Sequence, residues 1–211
     1  METLTAELLS TELVTPYLGI FKFKPEEPIP FAPGQYVTLG VRRFGLTGPG
    51  VRIEEGTGTV LRPYSAASSP HEKGIELYIA WVQRDGRGLN EWGILSTELF
   101  NRSDNQEFFF MPKAKGRFVL PEDSRDVIMI ATGTGIAPFI SMLRYSSENR
   151  SAAGNRRYIV IHGVSRKSDL AYHRELLEGY GLNVQYISTV SREKTEGLNP
   201  NYAEELFVNR N

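Results

Sequence analysis

Hydrophobic and polar side chains alternate along most of the chain from Leu4 to Leu120. Proline and glycine divide this stretch into short runs, one of which covers residues 75–81. A period of two is typical of antiparallel strands that turn one face to a core and the other to solvent. We therefore expect an all-β first half, and we favour a closed barrel over a sandwich because a barrel leaves no open strand edge.

The segment from Phe44 to Thr59 departs from this pattern, because it is rich in glycine and has almost no apolar periodicity. Such a composition is typical of a surface loop rather than of a pair of strands. We interpret the segment as an insertion.

A different pattern begins after Pro121. Residues Val127–Ala131 form a continuous apolar run, which is typical of a strand buried on both faces. We therefore expect a domain boundary near Pro121, with a β domain over residues 1–121 and a second domain over residues 122–211.

The second domain alternates between strand and helix patterns. Apolar residues recur at helical spacing around Pro138, and proline is favoured in the first turn of a helix. Downstream, the pattern predicts a strand over Tyr158–His162, a helix over Ser168–Tyr180 with Ser168 as its N-cap, and a strand over Val184–Val190. This order predicts a parallel α/β unit.

Composition narrows the chemistry that the chain can perform. Its 211 residues include 24 basic and 25 acidic side chains and no cysteine. The balanced charge gives no general attraction to nucleic acid or to an anionic membrane. Without cysteine, disulfides, thiolate metal sites and cysteine nucleophiles are excluded, and the three histidines show no ligand spacing, so we expect no metal site. We expect His162, at the end of an apolar run, to be a hydrogen-bonded interior residue.

Targeting signals are also missing from the pattern. The first ten residues carry acids where a secretory signal carries bases, and no run of about 18 apolar residues follows. We therefore expect a cytoplasmic protein without a membrane span.

A glycine-rich turn at residues 131–138 joins the first strand of the second domain to its helix. Glycine lets the backbone approach a diphosphate closely, and a helix N-terminus offers free N–H groups. This context indicates dinucleotide binding. The turn lacks the third glycine of the usual fingerprint, so a tight turn without a ligand remains the alternative.

The segment Arg62-Pro63-Tyr64-Ser65 combines a guanidinium, a phenol and a hydroxyl on a predicted strand. Arginine can pair with a phosphate, tyrosine can stack on a large aromatic ring, and serine can hydrogen-bond the edge of that ring. Together they could bind a flavin nucleotide. Taken singly, Tyr64 is more often a core or rim aromatic, and Arg62 a solvated charge.

These two motifs resemble those of the ferredoxin–NADP reductase family in its bacterial form. Arg62-Pro63-Tyr64-Ser65 is similar to the flavin motif of the family, and Gly133-Thr134-Gly135-Ile136-Ala137-Pro138 to its pyridine-nucleotide motif. Residues 93–99 and 112–118 resemble two further family segments. The resemblance implies an FAD-binding antiparallel β-barrel followed by a Rossmann-like parallel α/β nucleotide-binding domain.

The resemblance also assigns roles at the flavin. Arg62 and Pro63 would lie at the FAD diphosphate, Tyr64 would stack on the isoalloxazine, and Ser65 would sit near the flavin N5, so that Tyr64 and Ser65 are the expected catalytic residues. The residues expected along the adenosine and diphosphate are Tyr78, Ile79, Ala80, Gly93 and Ser96 or its neighbour Thr97, and Gly93 is expected to open a helix there.

In the second domain the resemblance implies an NADP(H) site. Ser191 and Arg192 would contact a 2′-phosphate, which favours NADPH over NADH, although Glu193 could instead accept from ribose hydroxyls. The residues expected to hold the nicotinamide nucleotide are Thr132, Gly133, Thr134, Gly135, Ile136 and Pro138.

The chain departs from the family after its third parallel strand. Residues 200–207 resemble a short amphipathic helix, and the last two strands and the cysteine of the family are missing. We therefore expect an α/β domain that is incomplete at its C-terminus. Three explanations remain open: a shortened piece of a longer chain, a natural short form that an oligomer or a partner subunit completes, or a degenerate member that keeps the fold without efficient turnover.

The resemblance predicts an enzyme that passes hydride from NADPH to FAD and single electrons to or from ferredoxin or flavodoxin. Two alternatives remain open at this point. One is a flavin-binding electron-transfer subunit of a larger complex, and the other is a reductase component that serves an oxygenase or free flavin.

Overall fold

The computed structural model describes residues 2–43, 59–82, 93–101, 106–150 and 155–193. Six antiparallel strands form one sheet, and a helix precedes the last of them. These elements are β1 (Leu4–Thr15), β2 (Leu18–Pro25), β3 (Tyr36–Arg43), β4 (Thr59–Ser65), β5 (Ile75–Ala80), α1 (Ile94–Asn101) and β6 (Gln106–Phe110).

The six-stranded sheet closes on itself. Its strand order is β4-β3-β6-β1-β2-β5, so β4 and β5 are the two ends of the sheet. Just beyond β4, Ala66 forms a bridge with Leu77, and the N–H of Ala67 donates to the carbonyl of Glu76 at 2.8 Å. These contacts join the two ends and confirm the predicted barrel. The all-β prediction from the alternating pattern was wrong for α1, whereas the helix that the resemblance implies after Gly93 is present.

The alternating pattern explains the barrel core. Phe21 and Phe23 on β2 are fully buried, whereas Lys24 is exposed. The ring of Phe23 packs edge-on against Phe108 and Phe110 of β6. Such edge-to-face contacts stabilise aromatic pairs beyond the burial of their surface, and here they add to a core whose other buried residues are mostly aliphatic.

The second half of the described chain forms a parallel sheet with helical connections. Its strand order is β7-β8-β9, and each strand runs parallel to the next. This confirms the predicted α/β order. The elements are β7 (Val127–Thr132), α2 (Ala137–Glu148), β8 (Arg157–Val164), α3 (His173–Glu178) and β9 (Asn183–Val190), with 3₁₀ turns at Gly133–Ile136, Lys167–Asp169 and Gly179–Gly181.

Helix α2 forms where the sequence predicts it. Pro138 lies in its first turn, where a missing N–H costs nothing. Ile140 and Leu143 are fully buried in a cluster that includes Met129 of β7 and Val160 of β8. The helix therefore covers one face of the parallel sheet.

The predicted helix over Ser168–Tyr180 is wrong as a single element. The chain forms a 3₁₀ turn, an irregular stretch and then α3, because Tyr172 adopts a left-handed conformation (φ +59°) that stops a continuous helix. Ser168 is not an N-cap, since it lies within the 3₁₀ turn that Arg166 precedes.

The prediction that β7 is buried on both faces was also wrong. Met129 and Ala131 are buried on the side of α2, but Ile128 and Ile130 are 50% and 46% exposed on the other side. Helices α2 and α3 therefore leave half of this strand open. An apolar run alone could not reveal which face would be covered.

Some predictions lie outside the described residues or remain predictions. Residues 44–58 of the predicted insertion and the predicted helix over 200–207 are outside them, whereas Thr59 begins β4. The boundary near Pro121 falls in the connection between β6 and β7 and remains a prediction. Among the described helices, none has the length and apolarity needed to cross a membrane.

Candidate functional site

A cleft of about 290 Å³ brings segments from both halves of the chain together. Its walls are β4, the end of β5, the start of α1 and the turn that follows β7. Eight residues that the sequence predicts for cofactor binding line it: Arg62, Tyr64, Tyr78, Ile79, Ala80, Gly93, Ser96 and Thr134.

The alternation of β4 decides which of its residues reach the cleft. Arg62 and Tyr64 share one face of the strand and line the cleft, whereas Pro63 points the other way and is exposed. Ser65 ends the strand opposite Tyr36 and does not belong to the lining of the cleft. Its predicted role at the flavin N5 remains a prediction.

Tyr64 and Arg62 form a polar and aromatic wall. Burial raises the pKa of Tyr64 to about 12, and the nearby positive charge of Arg62 offsets part of that rise. The phenol therefore stays neutral near pH 7 and can stack against a flat ring without adding charge. One guanidinium nitrogen of Arg62 donates to the carbonyl of Leu61 at 2.8 Å, which holds the side chain against its strand.

The start of α1 requires the residues found there. Gly93 has φ +91°, and a Cβ at this position would collide with the carbonyl oxygen of Val82. The hydroxyl of Ser96 donates to the carbonyl of Gly93 at 3.0 Å and accepts from the N–H of Val82 at 3.2 Å. Glycine and serine together therefore bind the helix to the end of β5 and form this wall.

Ser96, rather than Thr97, lies at the cleft. The hydroxyl of Thr97 accepts a hydrogen bond from the indole N–H of Trp81 at 3.1 Å. This interaction turns Thr97 away from the lining residues. The structure therefore separates two neighbours that the sequence leaves as alternatives.

Tyr78 connects the cleft to the parallel α/β unit. Its side chain is buried, and its hydroxyl donates to the carbonyl of Asp169 at 3.2 Å. Its ring packs edge-on against Tyr172 at 5.7 Å, and burial raises the pKa of its hydroxyl. Tyr78 therefore contributes to the contact between the two units as well as to the cleft.

The glycine-rich turn leaves space where side chains would otherwise stand. Gly133 has φ +50°, and a Cβ at Gly133 or Gly135 would meet no heavy atom within 4 Å. Neither Thr132 nor Ile136, the residues that precede the 3₁₀ turn and α2, caps the helical N–H groups with its side chain. Open space beside uncapped backbone donors fits the close approach of a nucleotide phosphate.

His162 of β8 contacts the backbone of this turn. It is fully buried, and its Nε2 lies 3.0 Å from the carbonyl oxygen of Gly133. Burial lowers the pKa of His162 to about 4, so near pH 7 the neutral ring donates its Nε2 proton to that carbonyl. The sequence prediction of a hydrogen-bonded interior histidine is confirmed.

Ser191 and Arg192 lie exposed at the carboxyl end of the parallel sheet. The N–H of Ser191 donates to the carbonyl of Val164, and the N–H of Arg192 to that of Ser165, at 3.0 and 2.9 Å. Both residues thus follow β9 at the same edge of the sheet as the glycine-rich turn, since the strands are parallel.

The carboxylate of Glu193 has a local partner. Its Oε2 accepts the backbone N–H of Lys167 at 3.0 Å. This contact ties the end of β9 to the 3₁₀ turn that follows β8. Glu193 is therefore engaged within the protein, while the Arg192 side chain is exposed.

Sequence reasoning missed two residues of the cleft. Val82 and Leu95 line it, and Val82 is 50% exposed although it is apolar. The sequence did offer one signal for Val82, namely an apolar residue placed just after the predicted end of β5. Leu95 gave no signal, because an apolar residue in the first turn of a helix usually only packs against the core.

Comparisons with known proteins agree with this architecture. Residues 129–202 match the oxidoreductase NAD-binding domain. A flavodoxin/ferredoxin–NADP reductase of Buchnera aphidicola subsp. Baizongia pistaciae is 30% identical over 84% of this chain. The electron transfer component of a 2-halobenzoate 1,2-dioxygenase from Burkholderia cepacia is 30% identical over 88% of this chain.

This chain covers only part of those relatives. It spans 65% of the length of the Buchnera protein and 48% of the Burkholderia protein.

Solved structures share the fold. A ferredoxin NADP⁺ reductase from Neisseria gonorrhoeae with bound FAD and NADP superimposes with a TM-score of 0.74 at 23% identity, covering 99% of this chain and 76% of that one. A ferredoxin-NADP⁺ reductase from Plasmodium falciparum with 2′P-AMP gives a TM-score of 0.71 at 20% identity, over 98% of this chain and 79% of that one. This chain is therefore similar to the ferredoxin–NADP reductase family in sequence over most of its length and in fold, which confirms the resemblance that its motifs predict.

Proposed function

We propose that this chain is an FAD-dependent oxidoreductase that transfers hydride between NADPH and flavin and single electrons to or from ferredoxin or flavodoxin. One observation carries the proposal. Arg62 and Tyr64 of the flavin-like motif and Thr134 of the nucleotide-like turn line the same cleft, although they are far apart in sequence. A shared cleft is what direct transfer between two bound cofactors requires, because the reacting atoms must approach to about 3–3.5 Å.

The barrel wall of the cleft would hold FAD. The Arg62 guanidinium would pair with the diphosphate, Pro63 would keep its strand extended, and the neutral ring of Tyr64 would stack on the isoalloxazine. Ser65 would lie near N5. The backbone around Tyr78, Ile79, Ala80 and Gly93, with Ser96 behind it, would follow the rest of the cofactor. The barrel, residues 1–121, would thus be the flavin domain.

The parallel α/β unit, within residues 122–211, would hold NADP(H). The turn from Thr132 to Pro138 would take the nicotinamide nucleotide in the space beside Gly133 and Gly135, where no side chain stands. Ser191 and Arg192 would contact the 2′-phosphate. The engagement of Glu193 with Lys167 supports this preference for NADPH, because that carboxylate already accepts a backbone hydrogen bond.

FAD held by these residues would supply the redox chemistry, namely acceptance of a hydride (two electrons and one proton) from NADPH and release of the two electrons one at a time. The residues of this chain bind and orient. Tyr64 stays neutral, and His162 holds the carbonyl of Gly133 without taking a proton near pH 7.

The visible spectrum of the purified protein tests the proposal. After incubation with FAD and removal of free cofactor, we expect a yellow protein whose flavin absorbance is bleached by NADPH in the absence of oxygen. A colourless protein that reduces no dye with NADPH would contradict it.

A second acceptor class has specific support. The relative from Burkholderia cepacia is the electron transfer component of a dioxygenase, so a reductase that serves an oxygenase is the competing function. Steady-state NADPH oxidation with ferredoxin, flavodoxin, an oxygenase ferredoxin component and free flavin as alternative acceptors separates these functions. The acceptor with the highest kcat/KM identifies the physiological class.

A further inference from the structure

Arg144 on α2 connects the two units through three carboxylates. Its guanidinium lies 3.0 Å from Glu76 and 3.3 Å from Glu72 on the barrel side, and 3.0 Å from Glu175 on α3. It also donates to the carbonyl of Ala67 at 3.5 Å. One cation is thus shared between the α/β unit and the barrel, where it contacts both the β4–β5 connection and the start of β5.

Arg144 and Glu76 are largely shielded from solvent, whereas the Glu175 side chain is 40% exposed. The side chain of Arg144 is 16% exposed, and its guanidinium lies 5.6 Å from the ring centroid of Tyr172. The hydroxyl of Tyr172 donates to the same Glu76 oxygen at 3.1 Å. The left-handed backbone of Tyr172, which is unfavourable for a bulky residue, places the ring at this interface.

The same face of α2 makes two more contacts with the barrel. The hydroxyl of Ser141 donates to the carbonyl of Ser68 at 2.7 Å, and the carboxylate of Glu148 accepts from the hydroxyl of Ser69. Positions 141, 144 and 148 lie on one side of the helix, because they are three and four residues apart. The body of α2 is therefore bound to residues 67–76.

Residues 67–76 comprise most of the connection between β4 and β5, the two strands that line the cleft, together with the first two residues of β5. The N-terminal end of α2 follows directly from the turn that places Thr134 in the same cleft. A shift of α2 against residues 67–76 would therefore move the nucleotide turn relative to the flavin wall.

We propose that Arg144 is a positioning residue that sets the distance between the nucleotide turn and the flavin wall. The inference rests on the proposed function for the reaction that it affects. Removal of the cation would leave the carboxylates of Glu72, Glu76 and Glu175 without their shared partner. The cost would fall mainly on Glu76, whose side chain is 12% exposed, because a poorly solvated charge needs a partner. The interface would then open while both binding walls stay intact.

The experiment compares Arg144→Met with Arg144→Lys and with a matched control. Arg174→Met is that control, because Arg174 lies on α3, is exposed and pairs only with Glu178 in the described residues. For Arg144→Met we expect an unchanged ratio of FAD to protein and an unchanged Kd for NADP⁺. Anaerobic flavin reduction by NADPH should slow roughly 10- to 100-fold, the cost of a misplacement of about 1 Å.

Arg144→Lys should recover part of the rate, because lysine keeps the charge but not the planar fork that reaches several carboxylates. Arg174→Met should behave as the wild type. Equal rates for Arg144→Met and the wild type would overturn the inference. If Arg144→Met does not bind FAD, Glu76→Gln provides the test instead. Flavin reduction by NADPH at the wild-type rate in Glu76→Gln would overturn the inference, and slower reduction would support it.

A second readout does not depend on turnover. The chain has no cysteine, so Lys24→Cys on the barrel and Arg157→Cys on β8, both exposed, can carry two spin labels without background labelling. Pulsed electron resonance should give a narrow distance distribution with Arg144 and a broader one with Arg144→Met. An unchanged distance distribution in Arg144→Met would overturn the inference. Absence of NADPH oxidation by the wild type would contradict only the proposed function, because the distance measurement does not depend on turnover.

Discussion

The imidazole Nε2 of His162 lies 3.0 Å from the carbonyl oxygen of Gly133, in the turn that is proposed to hold the nucleotide. The histidine is fully buried and lies within β8, a strand that the sequence predicts from its apolar residues. It thus links the core of the parallel sheet to the conformation of the glycine-rich turn.

The buried state of His162 predicts a dependence of stability on pH. Its folded pKa of about 4 lies below the ordinary value of 6.5, so between these values the unfolded chain binds more protons than the folded one. The stability contributed by the neutral ring is therefore complete above about pH 6.5 and is lost as the pH falls toward 4, by about 3 kcal/mol in total.

Urea unfolding of the wild type and of His162→Gln at several pH values tests this effect, because glutamine keeps a donor but does not titrate. The free energy of unfolding of the wild type should fall relative to that of the variant between pH 6.5 and 4. Parallel curves would show that the protonation of His162 does not oppose folding.

The two glycines of the turn should respond differently to alanine. Gly133→Ala should destabilise the fold by about 1 kcal/mol, because a side chain at its positive φ is strained. Gly135 does not have a positive φ and has open space around it, so Gly135→Ala should leave the melting temperature nearly unchanged. Its methyl group should nevertheless raise the Kd for NADP⁺ several-fold, since it stands where the nucleotide would lie. Thermal melts and titrations with NADP⁺ separate the two effects, and an unchanged Kd in Gly135→Ala would place the nucleotide elsewhere.

Arg192→Ala should discriminate between the two pyridine nucleotides. Loss of one charge-assisted contact with the 2′-phosphate, about 1.5–3 kcal/mol, should raise the KM for NADPH roughly 10- to 100-fold and leave that for NADH nearly unchanged. Arg157→Ala is the control, because Arg157 is exposed at the opposite end of the sheet, at the start of β8. Equal effects of Arg192→Ala on both nucleotides would refute the assignment.

Arg62→Met should weaken FAD binding by about 1.5–3 kcal/mol without a large loss of stability, because it removes the proposed diphosphate contact. Arg42→Met is a matched control on the neighbouring strand, where Arg42 pairs with Glu107 at 3.0 Å and does not line the cleft. Fluorescence titration of each apoprotein variant with FAD measures its affinity for the cofactor. A similar loss of affinity in the two variants would indicate a general effect of barrel charge rather than a diphosphate contact.

Local patterns predicted much of the fold because they depend on neighbours in the chain. The alternation in β2, the apolar run of β7 and the proline in the first turn of α2 each reflect the period of one element. The pattern failed where a single backbone angle decided the outcome. At Tyr172 a left-handed residue divides the predicted helix, and tertiary contacts of its ring with Tyr78 and Arg144 favour that conformation.

In the candidate site, too, local motifs predicted the residues but not their arrangement in space. The motifs identified Arg62, Tyr64 and Thr134, but not that they meet in one cleft, nor that Ser96 rather than Thr97 lies there. Each of these outcomes depends on how distant segments pack, which no local spacing records.

By itself the sequence determined the two fold classes, the alternation of strand and helix in the second half, and the segments that resemble flavin and nucleotide motifs, because each depends on residues within a few positions of one another. Only the tertiary structure decided which face of β7 stays open and that Arg144 meets carboxylates from both units. Those outcomes follow from burial and charge pairing between segments far apart in the chain, where the energy of a contact depends on the whole fold rather than on the local pattern.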